Sequence, residues 1–370
     1  MKIFFYPHHY LRDRHLDTIK QFHKIFGAGY DLLNQHIAEN RKGAQVTAKK
    51  ALKEGKAKFN FKKFLPLLNI KLRPKEAPKE AVIYVWGGLI ASGRFIIDID
   101  NPWALVGYNV KAMGLYKIII RHILLSKRCE KILTMSEACR EGLKEVFGQA
   151  VYDKAQCHYP FMESKAVSNT QLTKNEVVRF LFVGTQFEIK GGDALLKAFQ
   201  KLYVKHQSCQ LDLITHLPDA YHDMVQSCDG ITYHPAKFTR QDIHEQFMSK
   251  SHVLVFPTYG ESFGMVALEA LAHSMAIITT DVYALSEMVE DGANGFVIKP
   301  PISVWDQYQP SQYFAAGDAY KSYVRQADTT ELVEQLSKAM EHYLLDRENL
   351  NLARQQSAAI FKERFARDKN

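Results

Sequence analysis

A chain of 370 residues with 46% hydrophobic, 24% charged and 12% aromatic side chains can bury more than one core, which excludes disordered, fibrous and small disulfide-stapled classes. Its apolar runs are too short to span a bilayer; the nearest, residues 115–125, is interrupted by Lys117, Arg121 and His122. The formal charge of +8 is unevenly placed, with 13 Lys and Arg against 3 Glu between residues 41 and 80 and near neutrality elsewhere.

In chain order, strand-like runs cover Lys2–Tyr6, Val82–Trp86, Phe95–Ile99 and residues 131–135, and helical patterns cover 15–26, 103–125 and 137–147. The N-terminus runs straight into the first strand and does not read as a signal peptide. Ser136 is placed to cap the last of these helices. The basic block at about 41–80 interrupts the alternation as an insertion. It reads either as a docking surface for anionic lipid or an acidic acceptor, or as a solvated lysine face. No nucleic-acid-binding motif accompanies it. Polar residues over 161–174 mark a domain boundary.

The second half alternates short apolar strands (179–183, 210–214, 231–234, 253–256, 276–279) with helices at 193–205, 240–248 and 263–273. This pattern predicts a parallel sheet covered on both faces. Residues 300–320 read as an irregular excursion, and a helical tail runs from about Thr330. The fold class is therefore α/β, with a domain over 1–165, a second over 166–350, and residues 351–370 as a helix packing back toward the first. Five scattered cysteines without CxxC spacing fit small buried residues in a reducing cytoplasm and supply no metal site.

Ligands of open parallel sheets sit beyond the carboxyl ends of the strands. The segments leaving those ends are Gly184 to Gly192 with Lys190, then His216, then His234 to Lys237 with Pro235, then Pro257 to Gly264, then Thr280 and Asp281. In the fourth, a helix starting near Phe263 leaves free N–H groups at Phe263, Gly264 and Met265 for an anion, and Gly264 keeps no side chain in its way. A plain tight turn is the competing reading. Glu261 and Glu269 lie eight positions apart, about 12 Å along a helix axis and about 80° out of phase. Carboxylates so placed cannot share a proton or a metal, but they can hold hydroxyls at the two ends of a sugar–diphosphate–ribose unit. Glu269 also stands in the apolar stretch VALEALA, where burial demands a partner; a ligand hydroxyl is preferred over a salt bridge to a neighbouring helix.

The stretch FPTYGESFGMVALEALAHSMAIITTDVYALSEMVEDGANGFVI resembles the donor-binding core of retaining GT-B glycosyltransferases of the GT4 family (glycosyltransferase group 1 domain), with their E-x7-E motif at Glu261 and Glu269. RFLFVGTQFEIKGGDALLKAF resembles the phosphate-binding loop of that family, with Lys190 at its lysine, and KILTMSEACREGL resembles the end of its N-terminal domain. The resemblance implies two Rossmann-like domains facing across a cleft. It implies that Glu261 binds the donor sugar, that Lys190 neutralises the leaving diphosphate, and that Glu269 binds the ribose. The backbone of Phe263, Gly264, Met265 and Val266 would hold sugar and phosphate, joined by Ser262, Gly184 and Thr185, while His234, Pro235 and Lys237 would flank the nucleobase. No metal or cofactor is implied, because the departing phosphate itself can take the acceptor's proton.

Two departures stand out. Thr185 occupies the position of the phosphate-loop arginine, leaving Lys237, Arg94 or an N-terminal basic residue as substitutes, and Tyr283-Ala284 replaces a glycine pair ahead of Glu287. On the acceptor side Asp100, His8 and His9 are candidate rim residues, with loop capping and surface decoration as their bland alternatives. Asp98-Ile-Asp100 is formally a DxD but is too short a match to imply a metal. The expected partners are a nucleotide-sugar, a glycan or lipid-linked acceptor in surface-polysaccharide or lipopolysaccharide assembly, and an anionic membrane surface, in a cytoplasmic or inner-face peripheral setting. A nucleotide-sugar epimerase of the same fold and a non-catalytic glycan- or partner-binding relative are the alternatives.

Overall fold

Apolar runs with β-branched and aromatic residues on both faces can only be strands covered from two sides. The computed structural model, which describes residues 1–7, 11–38, 68–163 and 171–366, has two such sheets. The chain divides into two units, Met1–Phe161 and Met162–Asn370.

In the first unit the strands are β1 (Lys2–Tyr6), β2 (Asp31–Leu32), β3 (Val82–Trp86), β4 (Phe95–Ile99), β5 (Cys129–Thr134) and β6 (Ala155–Cys157), in spatial order β2-β1-β3-β4-β5-β6. All neighbours are parallel. Every residue of β3 and β4 is buried. Helix α1 (Asp13–Lys20) lays Leu16 and Ile19 against Phe5, Tyr84 and Trp86 of the sheet. The expected helix over 103–125 is broken. Asn101 caps a short 3-10 turn (Pro102–Val106), and Gly107 and Tyr108 both take left-handed φ values of 60° and 67°. Asn109 then caps α2 (Val110–Leu125) by accepting from the Ala112 N–H. Ser136 does cap α3 (Glu137–Phe147), accepting from the Cys139 N–H at 3.0 Å.

The second unit contains β7 (Val178–Gly184), β8 (Cys209–Thr215), β9 (Ile231–Pro235), β10 (Val253–Phe256), β11 (Ala276–Thr280) and β12 (Gly295–Ile298), ordered β9-β8-β7-β10-β11-β12 and again parallel throughout. Of these six strands β12 alone lies outside the expected apolar runs, since GFVI follows a turn and carries little alternation. Helices α4 (Gly192–Lys205), α5 (Met265–Ala272), α6 (Thr330–Leu345) and α7 (Arg347–Ile360) belong to this unit. Within this unit Leu350 and Ala353 of α7 enter the core, and the Asn351 side chain bonds both backbone groups of Leu172. No helix among the described residues is long and apolar enough to cross a membrane.

Candidate active site

The strand order of the second sheet reverses between β7 and β10: the chain winds outward through β8 and β9 on one side, then through β11 and β12 on the other. Loops leaving the carboxyl ends of β7 and β10 therefore part in opposite directions and open a crevice, the usual ligand position in such sheets. These loops carry Lys190 and Glu261. Glycine lets them meet. Gly191 has φ +74°, and a side chain there would run into the Pro257 carbonyl at 2.0 Å. The loops are also joined by the Tyr259 N–H donating to the Ile189 carbonyl at 2.9 Å.

At the junction Lys190 Nζ lies 2.7 Å from Glu261 Oε2 and donates to the Gly260 carbonyl at 2.9 Å. The Ser262 N–H donates to Glu261 Oε1 at 3.1 Å. Burial pushes the Glu261 carboxyl up, but the Lys190 charge and the N–H groups of Ser262 and Phe263 outweigh it and hold the group below its ordinary value. It is therefore ionised at neutral pH. The helix begins at Met265, two residues later than expected, because Gly264 (φ +96°) forms its N-cap in a left-handed conformation. A Cβ at Gly264 would approach Leu285 Cδ2 to 2.5 Å. Glu261 thus stands on the loop and only Glu269 on the helix, so the axial spacing read along one helix does not describe the pair.

Glu269 is buried in α5, and the chain itself supplies its partner. The Arg240 guanidinium donates to Glu269 Oε1 at 2.5 Å, with His244 Nε2 at 3.7 Å from the same oxygen. His244 Nδ1 meets His273 Nε2 at 2.7 Å. The salt bridge to a neighbouring helix, ranked second in the sequence reading, is thus the contact formed; nothing in the local pattern singled out Arg240 or His244. Burial raises the Glu269 carboxyl, and the bonds from His244 and Arg240 more than offset it, leaving it lowered. Thr239 fixes this second helix, exchanging hydrogen bonds with Asp242 as a capping box. On the edge strand β9, His234 Nε2 lies 2.8 Å from Asp212 Oδ1 and its ring packs edge-on against Phe247. Pro235 and Lys237 are exposed there, as are Thr185 beside Gly184 and His216 after β8.

Residues 178–306, which hold this whole constellation, match the family described as glycosyl transferases group 1. That segment is a group 1 glycosyl transferase domain. An uncharacterized glycosyltransferase of Haemophilus influenzae is 24% identical over 287 residues, covering 73% of this chain and 77% of that protein. A D-inositol 3-phosphate glycosyltransferase of Streptomyces griseus is 27% identical over 173 residues, covering 43% of this chain but only 34% of its own length. Among solved structures, Anabaena HepE in complex with UDP superposes on 99% of this chain and 96% of its own, with TM-score 0.58 and 14% identity. At that identity the likeness shows the fold: GT-B, with two Rossmann-like units and a helical tail.

The segment 300–320, expected as an irregular excursion, packs on the loop that carries Glu261. In the 300–320 excursion, the Trp305 indole N–H donates to the Glu261 carbonyl at 2.7 Å. Its ring stacks on Tyr283 at 4.3 Å and 26°, and Phe314 packs against it at 4.9 Å. Tyr259 is held likewise, its carbonyl accepting from Tyr320 Oη at 2.7 Å and from the Val304 N–H at 3.2 Å. Tyr283 takes φ +52°, a left-handed value that favours glycine, so the stack maintains a strained backbone.

In the first unit, His8 and His9 lie outside the described residues, as does most of the 41–80 basic block. Asp100 follows β4 at the carboxyl rim, and burial raises its carboxyl against the opposing charges of Arg14 and Arg12. Asp98 is committed elsewhere, accepting from Tyr84 Oη at 2.9 Å and pairing with Arg14 at 3.4 Å. Among the described residues no group of three His, Cys, Asp or Glu is placed to hold a metal. Arg94 precedes β4, at the amino end of its sheet, and pairs with Glu130 at 2.5 Å.

Proposed function

We propose that this chain is a retaining, metal-independent glycosyltransferase that moves a sugar from a nucleotide-sugar to a glycan or lipid-linked glycan, in the assembly of a bacterial surface polysaccharide or lipopolysaccharide on the cytoplasmic side of the membrane. The observation that carries it is the Lys190–Glu261 pair at the switch point of a group 1 glycosyl transferase domain. A cation there opposes charge that grows on a leaving diphosphate, and it does so most strongly in a water-poor crevice. Glu261, ionised and held from three sides, accepts from donor-sugar hydroxyls and fixes the ring. Glu269 retains acceptor capacity beyond its bond to Arg240, because a carboxylate has about four lone-pair sites, and is assigned to the ribose. The main-chain N–H groups from Phe263 to Val266 face the phosphates, and the leaving phosphate takes the acceptor's proton.

The test is nucleotide release from a panel of UDP-, GDP- and ADP-sugars with a cell extract as acceptor source, in the presence and absence of a chelator. Product anomeric configuration is read by NMR. Neither binding nor turnover across the panel overturns the proposal and favours a non-catalytic relative, the reading that Thr185 in place of arginine supports. Inversion at the anomeric carbon, or loss of turnover with chelator, removes the retaining or the metal-independent part.

Trp305→Phe keeps the ring on Tyr283 but deletes the donor to the Glu261 carbonyl. The lost hydrogen bond is expected to cost about 1 kcal/mol and, by loosening Glu261, to lower kcat about tenfold with a much smaller change in KM. Thermal melts and initial rates measure both.

A further inference from the structure

His244 and His273 are buried, at 8% and 5% exposure, and no step of sugar transfer uses them. Buried imidazoles are costly unless their nitrogens find partners. Here they meet each other: His244 Nδ1 lies 2.7 Å from His273 Nε2. Two local devices bring them together. His273 caps the end of α5 one turn beyond Glu269, so imidazole and carboxylate leave the same face of the helix. Opposite them, Ile243–Met248 winds as a π turn, closed by the Ser249 N–H on the His244 carbonyl at 3.1 Å. Such turns are rare overall and frequent at functional sites. This one sets His244 between its two partners, with Nε2 facing Glu269 Oε1 at 3.7 Å.

The contact between the two rings carries one proton, and its location decides what Glu269 meets. A neutral His244 with its proton on Nδ1 turns a bare Nε2 lone pair toward the carboxylate, which repels it. With the proton on His273 Nε2, His244 is the other tautomer and presents an Nε2–H to Glu269. A His244 imidazolium presents the same N–H. His273 thus selects the forms of His244 that donate toward Glu269, as the partner of a ring nitrogen commonly does.

We propose that His244 is a positioning residue for donor binding, and that His273 holds it in the tautomer that serves Glu269. The proposal rests on the assignment of Glu269 to the ribose. Arg240 and the His244 N–H approach Oε1 from two residues of the neighbouring helix. They fix the plane of the carboxylate, and its remaining lone pairs meet the ribose hydroxyls. The separation of 3.7 Å is longer than a hydrogen bond and closes in the donor complex.

The test is the affinity of the full chain for UDP, GDP and ADP and for their 2′,3′-dideoxy counterparts, measured by calorimetry. The readout is the preference for the ribose form within each variant, which a general loss of stability does not move. Wild type is expected to prefer it about 30-fold, the scale of a hydrogen bond to a charged acceptor. Glu269→Ala should abolish the preference. His244→Leu should lower it about tenfold, and His244→Gln, whose amide N–H replaces Nε2–H, should restore most of it. His273→Leu should lower the preference when His244 is present and have no further effect beside His244→Gln. A preference unchanged in His244→Leu but lost in Glu269→Ala overturns the role of His244 and leaves the ribose assignment standing. Equal losses in His244→Leu and His244→Gln, or additive losses in His244→Gln and His273→Leu, assign the effect to packing and overturn it as well. A preference unchanged in Glu269→Ala, or no binding by wild type, removes the ribose assignment and this inference with it.

Discussion

Lys190→Ala is expected to lower kcat for sugar transfer about 10³-fold, with a smaller rise in donor KM, because the ammonium meets charge that develops on the diphosphate as the bond breaks. The same substitution leaves Glu261 half-buried without its counter-charge. In the wild-type chain the Glu261 carboxyl is held below its ordinary value, chiefly by Lys190 acting against burial. A depressed carboxyl adds stability above its unfolded value of about 4.3, and that increment is lost as pH falls through the folded value. Without Lys190 burial dominates and the increment disappears. The difference in melting temperature between wild type and Lys190→Ala should therefore be larger at pH 7 than at about pH 4. A difference independent of pH would show that Lys190 acts on the fold through its contact with the Gly260 carbonyl alone.

Glu261→Ala should reduce turnover at least 10²-fold, the scale expected when a substrate ring is no longer held in its reactive position, while the chain stays folded. Lys190 keeps the Gly260 carbonyl as a partner, and its side chain is 16% exposed, so water can solvate the freed charge. Trp305 still holds the loop through the backbone carbonyl of residue 261, which the substitution leaves in place. Circular dichroism melts and initial-rate assays on the best donor of the panel separate the two effects. Turnover close to wild type would remove Glu261 from the catalytic machinery. A collapse of the fold would show instead that the carboxylate's bonds to Lys190 and Ser262 hold the two switch-point loops together.

At Tyr283, where the family resemblance implies glycine, an aromatic side chain lies beside the loop that carries Glu261, and the 300–320 excursion supplies the ring that stacks on it. The strained φ of Tyr283 is tolerated because its ring is buried between neighbours, and the same stack sets Trp305 to bond the carbonyl of Glu261.

Much of this protein was legible in order along the chain. Lys2–Tyr6, Val82–Trp86, Phe95–Ile99 and Val253–Phe256 form strands at the limits read from their apolar runs, since a buried parallel strand announces itself by composition alone. Ser136 announced the cap of α3, a contact with a residue three positions away. Lys190, Glu261 and Gly264 follow the carboxyl ends of strands, where the apolar runs placed them. Relations between distant segments were not legible. That Glu269 finds Arg240 and His244, and that Trp305 reaches back across 44 positions to Glu261, depend on which elements the sheet order brings side by side. Periodicity reports which face of an element is apolar; it does not say which neighbour will cover that face.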